Sequence, residues 1–284
     1  MIKRYILFFT ILNYVVILSC TKTVNIQIPG EDNQLVINAT LCPDSITSLV
    51  LSRSKNVLNS EDIEYINNAI ALVYEFNTLV DTLKNRGNGL YTGNLKPSIN
   101  KTYTIKIITA NNEVAEGTDS IPEIVKIQKI DTVVVNKPTS QILNCTVSFT
   151  DNFDRKNYYL LRVLSTDRAN AGKLQSQNYI CYDPSDVIDT LAGGNVNIFD
   201  DDQFNGKTHA LLISMVYPKS KKVYFQLLSI SQSFYNYCFS IVKNREYNSS
   251  LFYEKPQVKT NIKGGLGIIG AYSISTDSIV VGNK

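Results

Sequence analysis

The chain has 284 residues, 44% apolar, 19% charged and 10% aromatic, a composition of folded chains rather than of disordered, collagenous or multi-span membrane ones. Its 28 Lys and Arg against 25 Asp and Glu give a formal charge of +3 with no basic stripe, so nucleic acid is not an expected partner. One His, no Trp and two Met remove multi-His metal sites and disfavour most metallo-hydrolases. At roughly 100–200 residues per domain, the length points to two domains.

Lys3 and Arg4 precede a mostly apolar run, Tyr5 to Leu18, that ends in Ser19 and Cys20. As a helix the run reaches roughly 21 Å, short of the about 30 Å hydrocarbon core, and Asn13 interrupts it. Residues 1–19 therefore read as a lipoprotein signal peptide rather than a permanent anchor. A small residue directly before Cys20 resembles the bacterial lipobox, in which the Cys thiol receives a diacylglyceryl group and the peptidase then cuts before it. That resemblance implies lipidation at Cys20 and a mature protein tethered by palmitate-like chains, each contributing about 0.8 kcal/mol per buried methylene. The membrane is thus an expected partner through the lipid.

Beyond it, Val24 to Ile28 and Leu35 to Leu41 alternate apolar and polar residues around Pro29 and Gly30, the mark of half-buried strands. Further strands are predicted over 48–52, 69–76, 79–83, 89–92 and 102–109, with Asn85 to Gly89 supplying turn residues able to take positive φ. Ser54 to Ile66 reads as a loop or short helix. Short strands with turn signals throughout predict an immunoglobulin-like β-sandwich over residues 20–122, ending where Pro122 interrupts pairing.

Residues 123–284 predict a second β domain, sandwich-like, with strands over 125–135, 141–150, 158–165, 178–182, 195–199, 208–217 and 222–228. One α-helix is predicted over 231–245: Phe234, Cys238, Ile241, Val242 and the stem of Arg245 recur at steps of three or four, Ser231 caps the start, and Lys243 and Arg245 suit the C-terminus. It should pack one face on the second sheet. A Gly-rich stretch, Gly264 to Tyr272, leads to a final strand, Ser273 to Val281. The fold class is thus mainly β, two sandwiches with one packed helix.

Four cysteines remain, Cys42, Cys145, Cys181 and Cys238. Their spacings match no zinc pattern, and the sequence admits either disulfides or buried thiols. Asp200, Asp201 and Asp202, with Asn197 and Asn205, offer oxygen ligands of the kind calcium takes, but a solvated acidic loop explains them as well and the spacing is not that of an EF-hand. Asp151, Asn152 and Asp154 read as turn caps. Any catalytic triad must use His209, which lies in a strand-like run where a structural role is commoner. The glycines at 264, 265, 267 and 270 lack the strand, helix and acidic residue of a dinucleotide site; close backbone approach beside the last strand explains them better. Tyrosines gather at 158, 159, 179 and 182 and at 235, 237, 247 and 253, as sugar or peptide recognition and half-buried sheet positions both require. No catalytic residue and no cofactor is predicted.

These landmarks fall in an order that resembles the DUF4249 family, lipoproteins of Bacteroidetes without an assigned activity. After the lipid Cys come Val36, Ile37, Asn38, then Pro43, Asp44, Ser45 and a strand with Ser52, Arg53, Ser54; then Ala69 to Tyr74, Gly89 to Tyr91 and Lys101 to Tyr103. The second half adds Phe149, Thr150, Asp151 with Asn157 to Tyr159, Phe199 to Gly206, and Gly264 to Tyr272. The resemblance implies an outer-membrane lipoprotein with an N-terminal sandwich, often encoded near a TonB-dependent receptor. One departure is Thr21, Lys22, Thr23, where surface-exported members carry acidic residues, so the face of the membrane stays open. The expected function is non-enzymatic: a binding or accessory partner of a TonB-dependent receptor or other outer-membrane assembly. The alternative is a lipoprotein that captures a glycan or peptide in a Tyr-lined site.

Overall fold

Alternation of inward and outward side chains sorts the chain into four sheets in the computed structural model, which describes residues 33–55, 62–166, 173–182, 187–189, 196–218, 222–246 and 257–281. The predicted signal peptide, Cys20, the strand at Val24, Tyr247 and Tyr253 lie outside those residues.

The first half holds β1 (Leu35–Leu41), β2 (Ser48–Arg53), β3 (Ile70–Glu75), β4 (Thr78–Asn85), β5 (Leu90–Thr92), β6 (Thr102–Ile108) and β7 (Val114–Ser120). Sheet I pairs β1 with β2, β2 with β5 and β5 with the end of β4. Sheet II pairs the rest of β4 with β3, then β6, then β7. All these pairs are antiparallel, and β4 passes from one sheet into the other. Ile37, Leu41, Leu49 and Leu51 of sheet I meet Ala71, Val73, Ile105 and Ile107 of sheet II in one core. Tyr91, fully buried, keeps its hydroxyl satisfied by donating to the Ile66 carbonyl and accepting from the Ala69 N–H, both 3.0 Å. The turn before β5 is made as its residues predict, with positive φ at Gly87, Asn88 and Gly89. Residues 62–66 are not helical; Tyr65 makes an isolated bridge to Ser52.

The second half holds β8 (Ile127–Asn136), β9 (Gln141–Thr150), β10 (Tyr158–Thr166), β11 (Leu174–Ser176), β12 (Ile180–Cys181), β13 (Val187–Asp189), β14 (Val196–Asp200), β15 (Thr208–Val216), β16 (Lys222–Ile230), α1 (Gln232–Glu246), β17 (Ile262–Lys263) and β18 (Leu266–Val280). Sheet III runs β13-β14-β10-β16-β18, and sheet IV runs β12-β15-β9-β8. Cys145, Val147, Phe149, Leu211 and Ile213 of sheet IV close on Tyr159, Leu161, Phe225 and Leu227 of sheet III. On the other face of sheet III lies α1, the one α-helix among the described residues, with Cys238 and Phe234 against Leu160, Ile198, Leu228 and Ile230. The protein is mainly β, two sandwiches with one packed helix.

The last strand is longer than the sequence predicts, and its course crosses the division predicted at residue 122. Leu266 to Ala271 pair parallel with β1, while Tyr272 to Val280 pair antiparallel with β16. β17 pairs with β7. Ile262, Ile269 and Ala271 accordingly join the first core, and Ile279 and Val281 the second. Glycine permits this: Gly267 has φ +98°, and a Cβ there would stand 2.1 Å from the Ile37 carbonyl oxygen. Close backbone approach, not a nucleotide loop, is what these glycines serve.

Candidate functional site

Asp200, Asp201 and Asp202 do converge, with ligand atoms within 4.8 Å of one another. They converge on a cation the chain already carries. The Lys156 ammonium is 3.1 Å from Asp200 Oδ1, 3.1 Å from Asp201 Oδ1, and in closer contact with Asp202. Partial burial works against its charge, but the three carboxylates outweigh that and hold its pKa above the ordinary lysine value. Asp201, only 1% exposed, also accepts the Asn157 N–H at 2.8 Å. The cluster pins the loop before β10 to the end of β14, and a metal would have to displace Lys156.

The four cysteines are buried thiols, which decides between the two readings that the sequence left open. Cys145 and Cys181 both stand in register with Ile213 on the strand between them, two strand spacings or about 9.5 Å apart, beyond a disulfide's Cα reach. Cys42 directly follows β1 in the first sandwich and Cys238 sits on α1. Burial pushes the Cys145 thiol up to about 12. His209 stacks on Phe204, ring centroids 4.0 Å apart at 10°, and meets Phe149 edge-on, inside an aromatic cluster. Asp151 is buried and accepts the Tyr159 hydroxyl and the Gly206 N–H, which ties distant segments together and does not cap its own turn; the predicted turn cap is made by Asn152, which accepts the Asp154 N–H at 3.3 Å. The described tyrosines of these clusters do not form one platform. Tyr159 and Tyr179 are in the core, whereas Tyr158 packs on Tyr235 with centroids 4.6 Å apart.

Two surfaces stand out. A cleft of about 690 Å³ opens where the end of β7 meets the start of α1, lined by Thr102, Asp119, Lys156, Asn157, Tyr158 and Ser231, among others. Asp119, read in the sequence only as part of a boundary, organises its floor. Its carboxylate accepts the Ser231 hydroxyl, the Ala271 N–H at 2.8 Å and the Ser120 N–H at 3.0 Å. Ser231 Oγ in turn accepts the Phe234 N–H at 3.1 Å, which makes it the helix N-cap that its position predicts. Desolvation outweighs these hydrogen bonds and raises the Asp119 pKa to about 6.

The second surface is the outer face of sheet IV. Strand register places Val135, Ile142 and Val216 side by side across three strands. The next row is Val133, Asn144, Ser214 and Ile180. Leu212, with Tyr182 beside it, continues the face. Val133 is 61% exposed, Val216 63%, Ile180 55% and Tyr182 59%. Apolar side chains this exposed, gathered around the hydrogen-bonded Asn144–Ser214 pair, mark an interaction surface. Sequence reading missed it because alternation reports two faces without telling which is covered.

A family model described as a domain of unknown function, DUF4249, matches residues 21–278. The chain belongs to the DUF4249 family. No curated protein matches it. Among solved structures, murine CEACAM1b is similar at 12% identity over 88% of this DUF4249 chain and 99% of that one, with a TM-score of 0.21. The Fcho1 Mu homology domain of Danio rerio, solved with a bound Eps15 peptide, is similar at 6% identity over 85% and 92%, TM-score 0.23. Scores this low carry no conclusion about this DUF4249 protein.

Proposed function

We propose that this DUF4249 protein is a non-enzymatic, lipid-anchored binding protein of the outer membrane, an accessory partner of a TonB-dependent receptor or other outer-membrane assembly. The observation that carries the reading is the exposed apolar face of sheet IV, since leaving Val133, Val216, Ile180 and Tyr182 in water is unfavourable without a partner to cover them. Support for the tether is the order of Lys3, Arg4, the apolar run and Ser19 before Cys20. Among the described residues no helix is long and apolar enough to cross a membrane. Metabolic labelling with a palmitate analogue is expected to mark the chain and to fail in a Cys20→Ala variant. Crosslinking in intact cells is expected to retrieve an outer-membrane barrel protein, and Leu212→Lys or Val216→Glu to lose it. An unlabelled chain, or a pull-down without any barrel protein, overturns the proposal.

A second reading, capture of a glycan or peptide, rests on the polar cleft beside Tyr158. Hydroxyl and amide groups there match a polyhydroxylated ligand, with Tyr158 beside them in the lining. Ligand arrays on the wild type and Tyr158→Ala protein test it, and binding that ignores the substitution removes the site.

A further inference from the structure

β8 ends its sheet, and among the described residues nothing pairs with its outer side. Edges this open are normally blunted by charge, Pro or brevity; this one has ten residues, a bulge only near its start between Ile127 and Lys129, its two charges there as well, paired as Lys129–Asp131, and no charge over 132–136, where three consecutive valines stand. Which backbone groups are open follows from its neighbour. The Lys137 N–H donates to the Ser140 carbonyl at 2.8 Å, and the Gln141 carbonyl accepts from Tyr217 on the far side. Antiparallel alternation then turns the odd residues toward β9 and leaves the N–H and C=O of Ile130, Thr132, Val134 and Asn136 facing outward. At the strand's start the side is taken, because the Ile127 N–H donates to Ser275 Oγ at 3.0 Å.

We infer that β8 pairs with β8 of a second copy of this chain, antiparallel about a two-fold axis through Val134, to join two copies of sheet IV into one continuous sheet. A two-fold axis perpendicular to the sheet keeps inner faces with inner faces, so it must pass through a residue. Centred on Val134, Val133 opposes Val135, Thr132 opposes Asn136, and Asp131 opposes Lys137. Centred on Val133, Lys129 opposes Lys137, which repels; centred on Ile130, the pairing needs the side that Ser275 already occupies. Opposite charges at the rim thus select the Val134 centre over the Val133 one, and outward groups at 132, 134 and 136 give about six intermolecular hydrogen bonds. The two-fold axis also brings the apolar rows of both outer faces together as one surface. This goes beyond the accessory-partner reading and does not rest on it.

A single strand pair is small beside the about 1,200–2,000 Å² of standard interfaces, so a dissociation constant on the order of micromolar is expected. The full chain, purified from membranes in detergent, is expected to sediment as a dimer that dilution dissociates. Val134→Pro removes an N–H that faces outward, so it should keep the melting temperature and lose the dimer. Independently, two differently tagged variants, Val133→Cys and Val135→Cys, oxidised together in intact cells, should form a disulfide joining the tags. Opposed non-hydrogen-bonded residues sit about 4.5 Å apart, within disulfide reach, and neither variant alone should crosslink to itself. A monomer at about 100 times that expected micromolar constant, a dimer indifferent to Val134→Pro, or crosslinking of either variant to itself overturns the inference. Capture of a barrel protein through these cysteines in place of the mixed dimer also overturns it, while favouring the accessory role.

Discussion

Asp119 shows how one buried carboxyl makes folding depend on pH. Its pKa is 3.8 when unfolded and about 6 when folded, so between these values the folded chain binds the extra proton. Its contribution is therefore complete below about pH 3.8 and is lost as pH rises through about 6, a loss of about 3 kcal/mol at 1.36 kcal/mol per unit. Glu75 and Glu113 run the other way, each held below the ordinary carboxylate range by a hydrogen-bonded cation, Lys101 and Arg53 respectively. The expected signature is a difference. Denaturant unfolding at pH 4 and 7 should show that Asp119→Asn removes the decline with rising pH, and an identical slope in both proteins would refute the assignment. At Lys156, substitution by Gln leaves buried Asp201 uncompensated, with an expected cost on the order of 3 kcal/mol. Millimolar calcium should leave the wild-type melting temperature unchanged, because the ammonium holds the place between the carboxylates.

Among the elements, β18 carries the greatest dependence on a single residue type. Gly87 and Gly267 have nearly equal positive φ, +96° and +98°, but nothing lies within 4 Å of a Cβ at Gly87 while the Ile37 oxygen blocks one at Gly267. Gly87→Ala should cost about 1–2 kcal/mol from backbone conformation alone. Gly267→Ala should cost well beyond that because β1 and β18 must separate. Equal urea midpoints for the two variants would remove the close approach as the reason. For α1, Ser231→Ala loses the cap and the contact with Asp119, with an expected cost of about 1–2 kcal/mol. The helix was legible because its 3.6-residue period and cap are local; Cys238 and Val242 are buried as that period requires, although Arg245 is exposed. β7 was not legible as a strand. Its inward positions are Ala115, Gly117 and Asp119, small or charged residues that give no apolar alternation, and small residues are required where the Ile262 and Ile269 side chains press on Gly117.

Across the whole molecule, four buried thiols at separate places predict a simple titration. With Cys20 acylated, the native chain should react slowly with a thiol reagent and denaturation should release four of its five cysteines as thiols; the same chain with two disulfides would release none without reductant. Most of the fold could be read in advance because alternation and turn chemistry are properties of neighbouring residues. Leu35, Ile37, Ala39 and Leu41, written on one face by the sequence, are the buried face of β1. The class, the helix, the turn at Gly87 to Gly89 and the family followed from such local order. Tertiary structure decided what depends on residues far apart in the chain. It sent the last strand back beside the first, set Lys156 among three aspartates, buried Asp119 under a helix start, and left one face of sheet IV in water. A sequence records which side of a strand is apolar; only the packing of one sheet on another determines which sides are covered.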